Sequence, residues 1–259
     1  MASISTARGR IGYSEIGGGG ETSIVFLHGV GSDKSVWRPQ LEHFGQSRRA
    51  VAFDNLGYGE SDFMDGASRD DFANAILAAM AALHIPRAHI CGLSLGGVVA
   101  IAMHASAPER CASLIIADSF AVHPDGQGIH DRSVAASWSM TMRALAEARS
   151  GVLLGSKATH ELRAEVIDAM AAIDPAAYRI GAEAVWLADQ RDRAAAVNVP
   201  TLILVGDEDG ITPPPLSEEL QRLIPGSKYE VIAGAGHLAN AEQPQSFNSA
   251  IESFLSQLG

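Results

Sequence analysis

Residues 90–98 read Ile-Cys-Gly-Leu-Ser-Leu-Gly-Gly-Val, and this stretch decides the fold that the chain indicates. A strand-type run leads into Gly-x-Ser-x-Gly, and an apolar helical pattern follows as far as Ser106. Glycines two residues on either side of Ser94 allow neighbouring backbone to approach a serine on a strand-to-helix turn. The pattern predicts a nucleophilic hydroxyl at a helix N-terminus, where backbone N–H groups stabilise an oxyanion. The alternative is a turn serine without a catalytic role.

Strand-type segments alternate with helical patterns on both sides of this turn. Such alternation is typical of a mostly parallel sheet with helices on its faces. Four consecutive glycines at residues 17–20 predict a flexible hairpin loop between the first two segments. The predicted strands cover residues 10–16, 23–27, 49–53, 88–92, 113–117, 201–205 and 228–232.

The alternation of strand and helix patterns stops between residues 120 and 193. This stretch has no strand-type runs and shows Ala-rich helical patterns instead. Strand signals return at residues 199–201. We therefore predict an α/β core formed by residues 1–119 and 194–259, with residues 120–193 inserted as a helical cap, or lid.

Composition excludes several classes of protein. Acidic residues number 30 against 19 Lys plus Arg, which gives a net charge of −11, so nucleic acid and anionic membranes are not expected partners. The start of the chain lacks an apolar signal core and no apolar run approaches membrane-spanning length, so a cytoplasmic protein is predicted. Cys91 and Cys111 lie in apolar runs and are expected to be buried free thiols, with no metal site.

A serine nucleophile needs a base, and the base needs a carboxylate that orients it. Of the nine histidines, His237 follows the last predicted strand and is the predicted base. Asp209 is the preferred acid, because Gly210 behind it leaves the loop free to aim the side chain. Asp207 and Asp118 also end strands and stay open as alternatives. The resulting order along the chain is serine, acid, histidine.

The segment Phe-Leu-His-Gly-Val-Gly at residues 26–31 ends an earlier strand in a glycine-flanked turn. We predict that the backbone N–H groups of Val30 and Leu95 converge to form an oxyanion hole. His28 is expected to brace this loop, since His237 is better placed as a base.

Taken together, these motifs resemble the α/β-hydrolase fold superfamily. The resemblance rests on residues 28–31, on Gly-Tyr-Gly-Glu-Ser at 57–61, on the serine turn, on Gly206-x-x-Asp209-x-x-x-Pro213 and on Gly236-His237. It implies a mostly parallel eight-stranded sheet flanked by helices, with a helical cap insertion and a catalytic triad of Ser94, Asp209 and His237. The glycine-to-acid spacing favours Asp209 over Asp207.

Within that superfamily, residues 224–229 and 236–248 are similar to the 3-oxoadipate enol-lactonases. Those enzymes open an unsaturated lactone that bears a carboxylate, without a metal or a cofactor. The resemblance implies a serine hydrolase that cleaves a small carboxylic ester or lactone through an acyl-enzyme. Alternatives are a broad-specificity carboxylesterase, a C–C bond hydrolase, a cofactor-free haloperoxidase and a ligand-binding protein that keeps the fold. The expected partner is a small-molecule substrate, and a homo-oligomer is left open.

The predicted cap departs from the enol-lactonase pattern at residues 137–140. Its apolar residues are candidate pocket walls, and its arginines are candidate partners of a substrate carboxylate. The predicted substrate-binding residues are Trp138, Met142 and Trp186, with Met140 as a further candidate wall. The candidate carboxylate partners are Arg132, Arg143 and Arg179.

Overall fold

The computed structural model describes residues 2–258, which form an eight-stranded sheet flanked by helices. The predicted fold class is confirmed. The strands are β1 (Ala2–Thr6), β2 (Gly9–Ile16), β3 (Glu21–Leu27), β4 (Arg48–Phe53), β5 (Ala88–Leu93), β6 (Cys111–Ala117), β7 (Thr201–Gly206) and β8 (Lys228–Ile232). The helices are α1 (Arg38–Phe44), α2 (Arg69–Ala82), α3 (Leu95–Ser106), α4 (Gly126–Ser139), α5 (Met142–Leu153), α6 (His160–Ala171), α7 (Pro175–Trp186), α8 (Arg191–Ala195), α9 (Pro214–Leu223), α10 (Ala239–Glu242) and α11 (Pro244–Leu255).

The strand order across the sheet is β1-β2-β4-β3-β5-β6-β7-β8. Strands β1, β2 and β4 pair in antiparallel fashion, and every pair from β4–β3 to β7–β8 is parallel. The parallel strands therefore end at one edge of the sheet, where the loops that follow them gather.

The predicted hairpin between β2 and β3 was wrong. Strand β4 lies between them, so the glycine loop carries the chain past the start of β4. Gly17 has φ +82°, and a Cβ at this position would overlap the carbonyl oxygen of Arg48. Strand β1 was missed because it is mostly exposed and carries no apolar run.

Side chains alternate along the parallel strands between the two faces of the sheet. In β3, Val25 and Leu27 pack in the core that α2 and α3 cover. Ile24 and Phe26 point to the opposite face and pack with residues of α1 and α11. Burial on both faces explains why these strands read as continuous apolar runs.

Helices α4 to α7 lie between β6 and β7, in the stretch for which the sequence predicts a helical cap. Val122 and Asp189 form an isolated antiparallel bridge that brings the two ends of this helical segment together. The exact division into core and cap at residues 119/120 and 193/194 stays a prediction.

Two further features concern the whole of the described chain. Within residues 2–258, no helix combines the length and the apolar character that crossing a membrane requires. Cys91 and Cys111 are both buried and free, and burial raises the pKa of each thiol.

Candidate active site

Ser94 lies between the end of β5 and the start of α3 with φ 55° and ψ −116°. A positive φ is uncommon for a residue with a side chain and costs conformational energy. Hydrogen bonds hold this turn on both sides, because the Ser94 N–H donates to Ala117 O at 3.0 Å and Ser119 Oγ donates to Ser94 O at 2.9 Å. A Cβ at Gly96 would overlap the carbonyl oxygen of Leu27. The glycine in the motif is thus required by the close approach of β3.

The side chains of His237 and Asp209 are paired and buried. His237 Nδ1 lies 2.9 Å from Asp209 Oδ2. The same carboxylate accepts the Thr212 hydroxyl at 2.7 Å and the backbone N–H groups of Ile211 and Thr212 at 2.7 and 2.9 Å. A carboxylate only accepts, so this contact assigns the proton to Nδ1 and leaves Nε2 with a free lone pair. The ring is therefore arranged as a base.

The electrostatics of Asp209 follow from these contacts. Burial alone would raise the pKa of this carboxyl, but the charge of His237 and the hydrogen bonds from His237 and Thr212 outweigh burial and lower the pKa to about 2. Asp209 therefore stays ionised throughout the pH range in which an imidazole titrates.

The two alternative acids serve other contacts. Asp207 Oδ1 accepts the backbone N–H groups of Gly234 and Ala235 at 2.6 and 3.3 Å, which braces the loop before His237. Asp118 Oδ1 accepts the N–H of Gly206 at 2.8 Å. Burial and the nearby charge of Asp209 raise the pKa of Asp118 well above its ordinary value. Of the three candidates, the structure brings Asp209 alone to the His237 ring.

A cavity of about 200 Å³ lies beside this pair. His237, Gly29 and Leu93 contribute to its lining. Ser94 follows Leu93 in the chain and lies next to Gly29, since a Cβ at Gly29 would come within 3.0 Å of Ser94 Cβ. Both Ser94 and His237 are among the described residues, and no hydrogen bond joins their side chains.

The loop after β3 lines the same cavity and carries Val30, one of the two predicted oxyanion donors. Val30 lines the cavity, and within residues 2–258 its N–H donates no backbone hydrogen bond. Leu95 is the first residue of α3, so its N–H has no acceptor within the helix. The contacts of His28 agree with the bracing role, because Nδ1 lies 2.8 Å from Gly29 O and Nε2 accepts the Asn55 N–H at 3.0 Å. Burial lowers the pKa of His28, in keeping with a neutral ring.

Sequence reasoning missed a buried charge cluster beneath this loop. Lys34 Nζ lies 2.6 Å from Asp54 Oδ2 and also contacts the Glu60 carboxylate. Asp54 is fully buried and accepts the backbone N–H groups of Lys34 and Glu60 as well. Although burial opposes it, the hydrogen bonds from Lys34 and the charge of its ammonium group hold the pKa of Asp54 below its ordinary value. The sequence feature that could have indicated this cluster is the Gly-Tyr-Gly-Glu-Ser turn at residues 57–61, which contains Glu60.

A second missed residue is Glu242, in α10. Its carboxylate accepts the N–H of Gly236 at 2.9 Å and that of Leu238 at 3.3 Å, on either side of His237, and the N–H of Gly155 at 2.7 Å. The His237 N–H itself donates to Leu153 O at 2.8 Å. The loop that carries His237 is thus fastened to the end of α5.

None of the three predicted substrate-binding residues lines the cavity. Trp138 is 72% exposed and lies under the Arg179 guanidinium, 3.8 Å from the ring centroid. Met142 is buried in the same part of the core as Val25 and Leu27. Trp186 is buried and stacks on Phe120 with ring centroids 5.7 Å apart. Residues of α5 and α6 supply the cavity walls instead, namely Leu153, Leu162, Val166 and Ala169.

The three candidate arginines also lie away from the cavity lining, and each has another partner. Arg132 pairs with Asp125 at 2.7 Å, and Arg143 pairs with Asp168 at 2.8 Å. Arg179 covers the Trp138 ring.

A family model for the alpha/beta hydrolase fold matches residues 22–244. The 3-oxoadipate enol-lactonase 1 of Acinetobacter baylyi is 29% identical over 238 residues, which cover 91% of this chain and 89% of that relative.

Two solved structures are similar over nearly the whole chain. The enol-lactonase from Burkholderia xenovorans LB400 has a TM-score of 0.92 and 25% identity, and the match covers 98% of this chain and all of that one. A thermophilic esterase from Thermogutta terrifontis has a TM-score of 0.90 and 27% identity, with 99% of this chain and 98% of that one covered.

Proposed function

The chain belongs to the alpha/beta hydrolase fold family, and from that premise we propose that it is a serine hydrolase. Its substrate is a small carboxylic ester or lactone, and its reaction passes through an acyl-enzyme on Ser94. His237 is the general base, Asp209 orients it, and the N–H groups of Val30 and Leu95 form the oxyanion hole.

In the first half of the reaction, Ser94 Oγ attacks the carbonyl carbon while its proton passes to His237 Nε2. The developing negative charge lies on the carbonyl oxygen, where the two N–H donors stabilise it. Removal of one such donor typically costs about 2.7–4 kcal/mol of barrier. His237 then gives the proton to the departing alkoxide, and the acyl group stays on Ser94.

In the second half, a water molecule attacks the acyl-enzyme while His237 takes its proton. Collapse of the second tetrahedral intermediate returns that proton to Ser94 Oγ and releases the acid. A lactone follows the same steps, except that the leaving alkoxide belongs to the same molecule as the acyl group.

The proposal requires Ser94 Oγ to come within hydrogen-bond reach of Nε2 when substrate binds. Catalytic hydrogen bonds are often long or absent in structures without substrate. Rotation of the Ser94 side chain between staggered rotamers is the smallest movement of this kind.

The observation that carries the proposal is the buried contact of 2.9 Å between Asp209 Oδ2 and His237 Nδ1. It gives the ring the tautomer that a general base needs, on the wall of a cavity that adjoins a strained serine. The relatives named as enol-lactonases and the similar esterase support ester or lactone substrates.

Turnover of 4-nitrophenyl pentanoate by purified protein tests the proposal. Ser94→Ala is expected to lower kcat by at least about a thousandfold, since the members of a triad act as a unit. Ser106→Ala is the matched control, because Ser106 is an exposed serine at the far end of the same helix. Its activity is expected to equal that of the unmodified chain. Undiminished turnover by Ser94→Ala, or labelling by a fluorophosphonate at a residue other than Ser94, contradicts the proposal.

A further inference from the structure

The charge distribution of the cavity bears on the chemical class of the acyl group. Its walls on the α5–α6 side are apolar, formed by Leu153, Leu162, Val166 and Ala169. Leu238 closes the side next to His237. An acyl chain that enters between these walls leaves water for a hydrocarbon surface.

Besides His237, Arg38 and Glu165 are the acidic and basic residues among the described residues of the lining, and both lie at the rim. Their side chains are 69% and 65% exposed, and Arg38 Nη2 lies 3.9 Å from Glu165 Oε2. The charges are opposite and solvated, so together they offer little attraction to an anion. Among the described residues that form the inner wall of the cavity, none carries an ammonium or guanidinium group.

The three cap arginines that the sequence offers as carboxylate partners do not supply a cation to this cavity. Arg132 and Arg143 are paired with aspartates at 2.7 and 2.8 Å, and Arg179 is stacked on Trp138. Behind the His237 loop lie further carboxylates, those of Asp209 and Glu242. Ser32 and Ser35 also line the cavity and offer hydroxyl groups, but a carboxylate on the acyl chain would lose its hydration without gaining a cationic partner, at a cost in free energy.

We propose that this cavity is an acyl site selective for neutral aliphatic acyl groups and that it excludes acyl chains bearing a carboxylate. The inference rests on the proposed function for its turnover test. It departs from the carboxylated lactone that the enol-lactonase resemblance implies, because Arg38, the one cation among the described lining residues, lies exposed at the rim beside Glu165.

Three esters of nearly equal size provide the test: 4-nitrophenyl pentanoate, mono-4-nitrophenyl glutarate and its neutral methyl ester. At pH 7 and 0.15 M salt, kcat/KM for the pentanoate is expected to exceed that for the glutarate by at least about a hundredfold. The methyl ester is expected to lie within about tenfold of the pentanoate, since it carries no charge. Equal rates for the pentanoate and the glutarate overturn the inference, as does a methyl ester that reacts as slowly as the glutarate.

Leu162→Arg introduces a cation into the wall and is expected to raise kcat/KM for the glutarate relative to the pentanoate by at least about tenfold. Leu162→Gln is its uncharged control and is expected to leave that ratio within about threefold. Arg143→Gln removes a cation outside the cavity lining and is expected to leave kcat/KM for both substrates unchanged. A glutarate rate that falls with Arg143→Gln would contradict the inference.

Binding separates this inference from the proposed function. Ligand-observed NMR with Ser94→Ala is expected to show binding of the pentanoate ester and none of the glutarate at the same concentration. If the unmodified protein hydrolyses no ester but this preference holds, the proposed function fails and the acyl site stands. If esters are hydrolysed through Ser94 but the glutarate binds as well as the pentanoate, the acyl site fails and the proposed function stands.

Discussion

Glu242 Oε2 accepts a hydrogen bond of 2.7 Å from the backbone N–H of Gly155, which ties the loop that carries His237 to the helical segment that forms the cavity walls. The second oxygen of the same carboxylate holds the N–H groups of Gly236 and Leu238. One side chain therefore positions both the proposed base and the wall that faces it.

Glu242→Gln tests this coupling. An amide presents one acceptor oxygen and a donor group to three N–H donors, so at least one backbone N–H loses its partner. We expect the free energy of unfolding to fall by about 1–3 kcal/mol. We expect kcat to fall by about ten- to a hundredfold, since small displacements of a catalytic group are costly. Urea unfolding and steady-state kinetics measure the two effects.

Glu208→Gln is the matched control, because the exposed Glu208 carboxylate holds the backbone and side chain of the neighbouring Ser156. Its effect on stability is expected to be at most about 0.5 kcal/mol. An unchanged kcat in Glu242→Gln would show that Glu242 does not position His237.

Asp209→Asn and Asp118→Asn separate the orienting acid from its buried neighbour. An amide at residue 209 favours the wrong tautomer of His237, and kcat is expected to fall by about 10³–10⁴-fold. Asn accepts the positive φ of 46° at residue 118 and keeps the acceptor for the Gly206 N–H, so a loss of at most about tenfold is expected there. A larger loss in Asp118→Asn than in Asp209→Asn would assign the acid to Asp118.

Stability at low pH reports on the same carboxyl. The pKa of Asp209 is about 2 in the folded protein, below its ordinary value of 3.8. A lowered folded-state pKa stabilises the fold above pH 4, and this contribution, about 2 kcal/mol, is lost as the pH falls from about 4 to about 2. The difference in unfolding free energy between the unmodified chain and Asp209→Asn should therefore shrink by about 2 kcal/mol over that interval. Urea unfolding at pH 5, 4, 3 and 2 measures it, and a constant difference would exclude a lowered pKa.

Lys34→Met tests the charge cluster beneath the oxyanion loop. The substitution leaves the fully buried Asp54 carboxylate without its ammonium partner, and stability is expected to fall by about 3–5 kcal/mol. Lys157→Met is the control, since Lys157 is exposed. This substitution is expected to lower the free energy of unfolding by at most about 0.5 kcal/mol. Equal stabilities of the two variants would mean that Asp54 is not held as an ion by Lys34.

The features that could be predicted from sequence are those with a local cause. The turn at Ser94 is specified by its own glycines, and the positions of Asp209 and His237 follow from their places at the ends of strands in a parallel sheet. The spacing from Gly206 favours Asp209 over Asp207, and the contact between Asp209 and the His237 ring agrees with it. Their catalytic roles stay a proposal.

The features that could not be predicted depend on contacts between distant segments. Helix periodicity does not tell which face of a cap helix meets the core, so Trp138 was expected in a pocket although its ring lies outside under Arg179. Leu162 and Val166 carry the same periodic signal and line the cavity. The contacts of Glu242 with Gly155 and of Lys34 with Asp54 join segments separated by 87 and 20 residues. No local sequence pattern predicts these two contacts.

The central claim is an acyl-enzyme on Ser94, and mass spectrometry tests it most directly. The protein is quenched with acid during turnover of 4-nitrophenyl pentanoate, and its peptides are then mapped. A covalent acyl-enzyme predicts a pentanoyl group on the peptide that contains Ser94, and its loss when the reaction runs to completion before quenching. Steady turnover with the acyl group on another residue, or with no acylated peptide under conditions that show a burst of 4-nitrophenol, would contradict it.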